Sequence, residues 1–208
     1  MLTLGRRILL AEAAARYEES LDLAAEYLEG RGFQEETARS FRLGVVKDPM
    51  PGDEQFSGRL AIPYITRAGI VDIRFRCLEA HNCKELGHGK YMGHAGSVTH
   101  LFNVNALFEA YDFVCVCEGE LDAITLAQCD LPVCGLPGVA SWKKHYPRLF
   151  EDFERVYVFT DGDDAGRGFG RKLEAEIGGL VVPLPDGEDV NSAYLKYGEE
   201  FLRGKIDE

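Results

Sequence analysis

The sequence predicts an α/β protein with an α+β N-terminal subdomain and a C-terminal subdomain built on a parallel sheet. Three fully apolar runs alternate with helical patterns between about residues 110 and 190. Strands of a parallel sheet have this composition because helices cover both of their faces. Upstream of residue 100, helical spacing is followed by alternating apolar and polar residues, a pattern typical of a half-buried antiparallel hairpin.

The N-terminal elements follow from this periodicity. Apolar residues recur at helical spacing over residues 7–30, and a short second helix with acidic residues in its first turn is predicted within 32–44. The alternating segment 60–78 predicts a hairpin that turns at residues 67–69. Residues 79–98 have no periodicity, so we expect a long loop there.

The C-terminal elements follow from the three apolar runs. Each of the first two runs precedes a helical pattern, and a further helix is predicted for residues 141–153. The runs are FVCVC (113–117), RVYVFT (155–160) and LVVPLP (180–185). A subdomain boundary near residues 103–112 gives three segments, namely an N-terminal subdomain 1–108, a parallel-sheet domain 109–198 and a C-terminal tail 199–208.

Composition narrows the class of protein. The chain has 208 residues, a formal net charge of −12 and no apolar run that approaches the roughly 18–20 residues needed to span a bilayer. Its six cysteines include no CxxC pair and are too sparse for a secreted disulfide scaffold. We therefore expect a reduced, cytoplasmic protein with no membrane partner.

The charge is unevenly distributed along the chain. Between Arg59 and His100 there are six basic residues against three acidic ones, although the whole chain is strongly acidic. A local basic stripe on an acidic body can bind phosphates. A solvated, loop-rich surface explains the same charge pattern equally well, so charge alone does not decide between them.

Acidic residues follow each of the three apolar runs. Glu118 comes directly after the first run, Asp161 directly after the second with Asp163 two positions later, and Asp189 follows the third. Since the carboxyl ends of parallel strands meet at one edge of a sheet, we expect these side chains in one crevice with Asp122. Crowded carboxylates repel one another unless a cation is present, and hard oxygen donors suit Mg²⁺. A lone Asp-x-Asp is more often a helix cap, but acids after three strands favour a metal site.

Two other interpretations of the segment DGDDAG (161–166) fail on spacing. A calcium-binding EF-hand loop starting at Asp161 would need an oxygen ligand at its fifth position and Glu at its twelfth, where this chain has Ala165 and Lys172. A phosphatase of the haloacid dehalogenase type would need Thr or Val in the place of Ala165. A phosphate-binding G-x-x-x-x-G-K-[ST] loop does not occur in the sequence.

Four motifs in order, CEGELDA (117–123), GLPG (135–138), DGDDAG (161–166) and EDVN (188–191), resemble the Toprim domain of DnaG-type and phage primases. The upstream hairpin and the segment GKYMGH (89–94) resemble the basic hairpin and the Lys-Tyr loop of the same enzymes. The resemblance covers roughly residues 24–200 and implies a Rossmann-like Toprim sheet.

This resemblance implies the catalytic core of a DNA primase, which makes short RNA primers on a template by nucleotidyl transfer. It implies catalytic roles for Glu118, Asp122, Asp161 and Asp163, with Mg²⁺ or Mn²⁺, two ions, held by Glu118, Asp161, Asp163 and Asp189. Nucleic-acid or nucleotide contacts would fall to Arg59, Arg76, Lys90 and Tyr91.

The implied partners are single-stranded DNA template and ribonucleoside triphosphates. Family primases also carry a zinc-binding module and a helicase-binding part, which are not recognisable in this sequence, so we expect a separate zinc-binding subunit and a replicative helicase as further partners. No zinc is expected in this chain, because the spacing of its Cys/His residues fits no common zinc finger, all four lie in one loop, and free cysteines are usually inert. The four residues are Cys77, His81, Cys83 and His88.

The sequence departs from the family pattern at two places. Asn191 stands where DnaG-type enzymes commonly have Asp, and a neutral oxygen makes a role there in binding a second metal doubtful. Gly168 and Gly170 fall in a predicted helix, where each costs about 1 kcal/mol relative to Ala. They indicate either close approach of a phosphate to the backbone or an irregular helix.

Two alternative functions remain open from sequence. A Toprim nuclease would use similar acids for hydrolysis, and it would cleave labelled single strands without extending them. A non-catalytic Toprim module would bind DNA or a protein partner, and its binding would persist when the acids are neutralised.

Overall fold

The chain divides into two compact units, Met1–Val98 and Thr99–Glu208, and the computed structural model describes residues 2–110 and 112–207. The division lies ten residues before the boundary expected from sequence. The reason is packing, because Leu101 belongs to the hydrophobic core of the second unit and Phe102 pairs with Gly135 of the second sheet.

The first unit contains an antiparallel sheet. Its four strands lie in the order β1-β2-β3-β4 and span Gly44–Val45 (β1), Leu60–Thr66 (β2), Gly69–Arg76 (β3) and Tyr91–Gly93 (β4). The predicted hairpin is confirmed as β2 and β3, which pair from Leu60 and Arg76 to Thr66 and Gly69. The expectation of an uninterrupted loop over residues 79–98 is wrong at β4, because a three-residue edge strand is too short to produce a periodic pattern.

Three helices belong to the same unit, at Leu4–Glu18 (α1), Ala25–Glu29 (α2) and Glu35–Ser40 (α3). The single helix predicted over residues 7–30 is therefore wrong, since a 3₁₀ turn at Leu21–Ala24 separates α1 from α2. Near the end of α1 the backbone of Gly44 in β1 lies directly against the backbone of Tyr17, so only glycine fits at position 44. The core of this unit forms between α1 and the hairpin around Tyr17, Phe56 and Phe75.

The second unit contains a parallel sheet. Its strands lie in the order β6-β5-β7-β8 and span Phe113–Cys117 (β5), Val133–Gly135 (β6), Arg155–Thr160 (β7) and Leu180–Pro183 (β8). The three apolar runs are therefore confirmed as neighbouring parallel strands. Val114, Val116, Val156 and Val158 point to one face, and Cys115 is buried on the other.

Five helices accompany this sheet, at Ala106–Glu109 (α4), Glu120–Gln128 (α5), Asp164–Ile177 (α6), Val190–Tyr197 (α7) and Glu199–Asp207 (α8). The helix predicted over residues 141–153 is wrong, because the chain forms 3₁₀ turns at Val139–Ser141 and Tyr146–Leu149. The apolar side chains of Trp142 and Phe150 are buried at helical spacing, but Pro147 has no N–H for a continuous helix. None of the helices in residues 2–110 and 112–207 is long and apolar enough to cross a membrane.

Candidate active site

The ends of two adjacent strands bring the first two acids together. Glu118 follows β5 directly and Asp161 follows β7 directly, and these strands pair in parallel. The Oε1 atom of Glu118 accepts a hydrogen bond of 3.3 Å from the backbone N–H of Asp161. The register of the sheet therefore sets this pair of residues.

Three further acids are held at the starts of helices. Asp122 lies in the first turn of α5, and its Oδ1 atom accepts from the backbone N–H of Asn191 at 3.2 Å. Asp163 is the N-cap of α6 and accepts from Gly166 N at 2.7 Å, while Asp189 caps α7. Each cap uses one carboxylate oxygen for a backbone donor and fixes the orientation of the group. Glu118, Asp122, Asp161, Asp163 and Asp189 are called the carboxylate cluster below.

Close backbone packing holds two of these segments side by side. A Cβ atom at Gly162 would lie 1.9 Å from the carbonyl oxygen of Pro185, so only glycine fits. The N–H of Gly162 donates to the carbonyl of Glu188 at 2.8 Å, and the N–H of Gly187 donates to the carbonyl of Gly162 at 2.9 Å. The segments that follow β7 and β8 are therefore joined backbone to backbone, next to Asp161 and Asp189.

The charges of the five acids act on one another, as the pKa values of Glu118 and Asp161 show. Burial raises the pKa of Glu118 to about 7, with contributions from the charges of Asp163 and Asp122 that the N–H of Asp161 partly offsets. Burial also raises the pKa of Asp161 to about 7, and the charges of Glu118, Asp189 and Asp163 add to it. Both carboxyl groups therefore hold their protons more tightly than usual, as expected for crowded acids without a cation.

The donor set suits a hard divalent cation. A bound cation would lower both raised pKa values, and carboxylate oxygens are ligands that Mg²⁺ and Mn²⁺ accept. Among the described residues, the carboxylates do not close into a tight cage of three or more ligand atoms. Mg²⁺ usually keeps several waters and needs only one or two carboxylate ligands, so a tight cage is not required for it to bind.

Asn191 has a structural place. Its side chain is buried, and Nδ2 donates to Thr125 Oγ1 at 3.0 Å. Its backbone N–H holds Asp122, as described above. The contribution of Asn191 and Thr125 is therefore to orient an acid. Sequence reasoning missed Thr125, because its contact with Asn191 spans 66 positions and no local pattern signals it.

The four candidate phosphate-contacting residues of the first unit differ in exposure. The guanidinium of Arg59 is buried, and its Nη1 donates to the carbonyl of Gly89 at 3.0 Å. Arg76 is also buried and donates to the hydroxyl of Tyr91, whose ring lies 4.9 Å from the guanidinium carbon of Arg76. Lys90 is exposed. Only part of the predicted set therefore faces solvent directly.

A cavity of about 900 Å³ lies in the first unit beside these residues. Its wall includes four cationic side chains and one acidic residue, Glu79, and the cations are Arg31, Arg76, Lys84 and Lys90. Sequence reasoning missed Arg31 and the aromatic ring of Tyr27, which lies 5.5 Å from the guanidinium carbons of both Arg31 and Arg76. Tyr27 and Arg31 lie far from the hairpin in sequence, so no local pattern indicates that they line the same cavity as Arg76.

Comparison with known proteins identifies the family. A family model described as Toprim-like matches residues 115–194. The gene 57 protein of Mycobacterium phage D29 is 34% identical over 157 residues, which cover 73% of this chain and 99% of the phage protein. A DNA primase of Pseudomonas putida is 27% identical over an aligned length of 240 residues, which covers 94% of this chain and 36% of that primase.

A solved structure, the DnaG primase catalytic domain bound to ssDNA, superposes with a TM-score of 0.74 at 21% identity and covers 97% of this chain and 80% of that domain. Measured against the Pseudomonas putida primase, the present chain spans only about a third of that protein's length. The chain belongs to the family of the phage D29 gene 57 protein, and it combines a Toprim domain with the fold of the DnaG-type primase catalytic core.

Proposed function

We propose that this chain is the catalytic core of a DNA-dependent primase, which joins ribonucleotides on a single-stranded DNA template. The observation that carries the proposal is the pair of half-buried carboxyl groups, Glu118 and Asp161, at the ends of adjacent parallel strands. Relatives named as DNA primase, and a structural neighbour whose title names bound ssDNA, support the choice of reaction and template.

The residues that would hold Mg²⁺ or Mn²⁺ are Glu118, Asp161, Asp163 and Asp189. Asp163 and Asp189 each use one oxygen as a helix cap, and the second oxygen of each is the one we assign to metal. Divalent cations bound here would neutralise the charge of the triphosphate and lower the pKa of an attacking hydroxyl. Asp122, held by Asn191, supports the negative potential that attracts the cation.

The first unit would supply contacts to phosphates. Its cavity is lined by more cationic than acidic side chains, and Lys84 and Lys90 on its wall are exposed. Lysine and arginine side chains neutralise backbone phosphates and release counterions, so binding of single strands should weaken as salt increases. The buried Arg59 and Arg76 would act mainly by holding this wall in place.

The test is template-directed incorporation of labelled ribonucleotides with Mg²⁺ or Mn²⁺, using wild type, Glu118→Gln and Asp161→Asn. Each substitution keeps the shape of the side chain and removes its charge, so we expect synthesis to fall about a hundredfold or more. Asp186→Asn is the matched control, because Asp186 is a fully exposed acid on the segment after β8 and lies outside the carboxylate cluster. It should retain activity.

Undiminished synthesis by both Glu118→Gln and Asp161→Asn would refute the proposed site. Cleavage of the labelled strand without extension would instead assign the same acids to a nuclease. Strand binding that survives both substitutions, with neither synthesis nor cleavage in the wild type, would indicate a non-catalytic binding module.

A further inference from the structure

Four side chains of the first unit converge in the loop between β3 and β4. Cys77, His81, Cys83 and His88 each offer one potential ligand atom, and these four atoms all lie within 4.8 Å of one another. The Sγ atom of Cys77 is 3.6 Å from Nε2 of His81, and Nε2 of His81 is 3.0 Å from Nε2 of His88. These four residues are called the Cys/His cluster below.

Two of the distances among these atoms are close to those of a tetrahedral zinc site, and the others, all within 4.8 Å, would shorten when an ion binds. Zn–S bonds of about 2.3 Å and Zn–N bonds of about 2.0–2.1 Å, at tetrahedral angles, place sulfur and nitrogen about 3.6 Å apart and two nitrogens about 3.3 Å apart. The observed separations of 3.6 Å and 3.0 Å are close to both values. Two thiols and two imidazoles are also a common structural donor set for zinc.

The loop is built to hold these donors. Cys77 directly follows β3, and its N–H donates to the carbonyl of Lys90 at 2.8 Å, immediately before β4, so the two ends of the loop are tied together. Inside the loop the N–H of His88 donates to the carbonyl of Cys83 at 3.0 Å. The side chain of Asn82 accepts from the N–H of Lys84 at 3.2 Å and fixes the turn between them.

Burial in an apolar core does not explain why these four side chains lie together. His81 is exposed and Cys77 and His88 are half-buried, so only Cys83 resembles an ordinary buried cysteine. Two ring nitrogens that face each other at 3.0 Å need a proton or a cation between them, because two lone pairs would repel. A metal ion satisfies all four donors at once, and the exposure of His81 leaves a path for its entry.

The surroundings of His88 define how it would bind. Its Nδ1 atom lies 3.2 Å from the carbonyl of Gly89, and a proton donated there leaves Nε2 available for a metal. The Nη2 atom of Arg59 lies 3.0 Å from the same Nδ1 and favours the opposite tautomer. Metal binding therefore requires Arg59 to move off Nδ1, while its Nη1 keeps the bond to Gly89. A site with two thiolates and Zn²⁺ is neutral overall, so a nearby guanidinium is tolerated.

We propose that this chain binds one zinc ion of its own through Cys77, His81, Cys83 and His88. The proposal replaces the expectation that the chain holds no zinc, which rested on the spacing of the four residues, their place in one loop and the usual inertness of free cysteines. The ion would fix the loop that ends at Lys90 and lines the cationic cavity, so its role would be structural. It stands independently of the primase reaction, since it concerns the first unit only.

The test measures metal in the full chain purified without chelator. We expect one zinc per chain by elemental analysis. After removal of zinc, addition of Co²⁺ alone should give the visible and thiolate charge-transfer absorption of a tetrahedral Cys₂His₂ site, and Zn²⁺ should displace it. Because the ion would bind the folded chain only, its removal should lower Tm and its return should restore it.

Variants locate the ion. Cys77→Ser and His81→Asn change side chains that are not buried, so the fold should survive while zinc content falls at least severalfold. His145→Asn is the matched control for His81→Asn, because His145 is also exposed and lies in the second unit, and it should retain one zinc per chain. Less than a tenth of an equivalent of zinc in wild type, with no cobalt absorption, would overturn the proposal. A Cys77–Cys83 disulfide found by thiol counting would overturn it too.

Discussion

The carboxylate cluster and the Cys/His cluster differ in how the chain builds them. In the second unit, Glu118, Asp122, Asp163 and Asp189 each accept a backbone N–H, either from Asp161 directly after β7 or from the first turn of a helix. In the first unit, the four donors come from one loop, which hydrogen bonds hold at its ends, within its turns and to Arg59. Strand ends and helix starts therefore hold the acids, whereas the four Cys and His side chains all come from one irregular loop.

This difference separates the effect of a metal at the two places. Removing a cation from the carboxylate cluster should leave the backbone where it is and change only the protonation of Glu118 and Asp161. Removing zinc from the Cys/His cluster should free a loop in which Cys83 is the one buried residue among residues 77–90. Metal should therefore change pKa values at the carboxylate cluster, whereas at the Cys/His cluster it should order the loop.

The largest expected effect comes from breaking the frame of the carboxylate cluster. Gly162→Ala would place a Cβ atom 1.9 Å from the carbonyl oxygen of Pro185, so the segments after β7 and β8 must separate. We expect the free energy of unfolding to fall by about 3 kcal/mol or more, and ribonucleotide incorporation to be lost. Thermal unfolding and the incorporation assay measure the two effects.

Gly204→Ala is the control for this change, because a Cβ atom at that position of α8 meets open space. The zinc content of Gly162→Ala sharpens the comparison, since the Cys/His cluster lies in the other unit and should keep its ion. Stability and activity equal to wild type would show that the frame does not depend on this contact.

The sequence predicted the carboxylate cluster because regular elements carry it. Apolar strands, the acids that follow them and the parallel order are all local patterns, and Glu118 and Asp161 lie at strand ends as expected. The hydrogen bonds of the individual side chains were harder to predict from the sequence. Asp163 and Asp189 are also helix caps, and the anchor of Asn191 on Thr125 joins two helices that are remote in sequence.

The Cys/His cluster could not be predicted, because a loop without periodicity gives no rule for which side chains converge. The spacing of its four residues matches no common finger, and only the folded loop brings His81 next to His88. The helix expected over residues 141–153 failed for a related reason. Trp142 and Phe150 are buried at helical spacing, but Pro147 and tertiary packing determine the backbone.

An intermediate effect is expected from pH in the absence of divalent metal. The pKa values of Glu118 and Asp161 are raised, so the folded chain holds more protons than the unfolded one between about pH 4 and pH 7. Stability from these groups is present below that window and is lost as pH rises through it. With screening of these half-exposed groups, we expect a loss of about 1–2 kcal/mol, measured as a fall in Tm between pH 5 and pH 8.

Mg²⁺ should reduce this fall, because a cation lowers both pKa values and stabilises the charged form. Asp161→Asn should reduce it as well, since one of the two repelling groups is then neutral. An identical slope with and without Mg²⁺ would indicate that no cation binds at the carboxylate cluster.

The smallest expected effect comes from the glycines of α6. Substituting one of them tests whether the candidate active site includes the backbone of this helix. Gly170 is explained by packing, because a Cβ atom there would lie 3.0 Å from the side chains of Thr160 and Val181. Gly168 meets open space, so Gly168→Ala should raise the free energy of unfolding by about 1 kcal/mol and Tm by about 2–4 °C.

The activity of Gly168→Ala then decides between the two explanations of that glycine. If α6 merely tolerates a poor helix former, the more stable variant should synthesise primers at the wild-type rate. If a substrate phosphate approaches the backbone at the start of α6, the added methyl group blocks it, and incorporation should fall while Tm still rises. A loss of activity together with a gain in stability cannot come from misfolding, so this combination would extend the candidate site from the carboxylates to the backbone of α6.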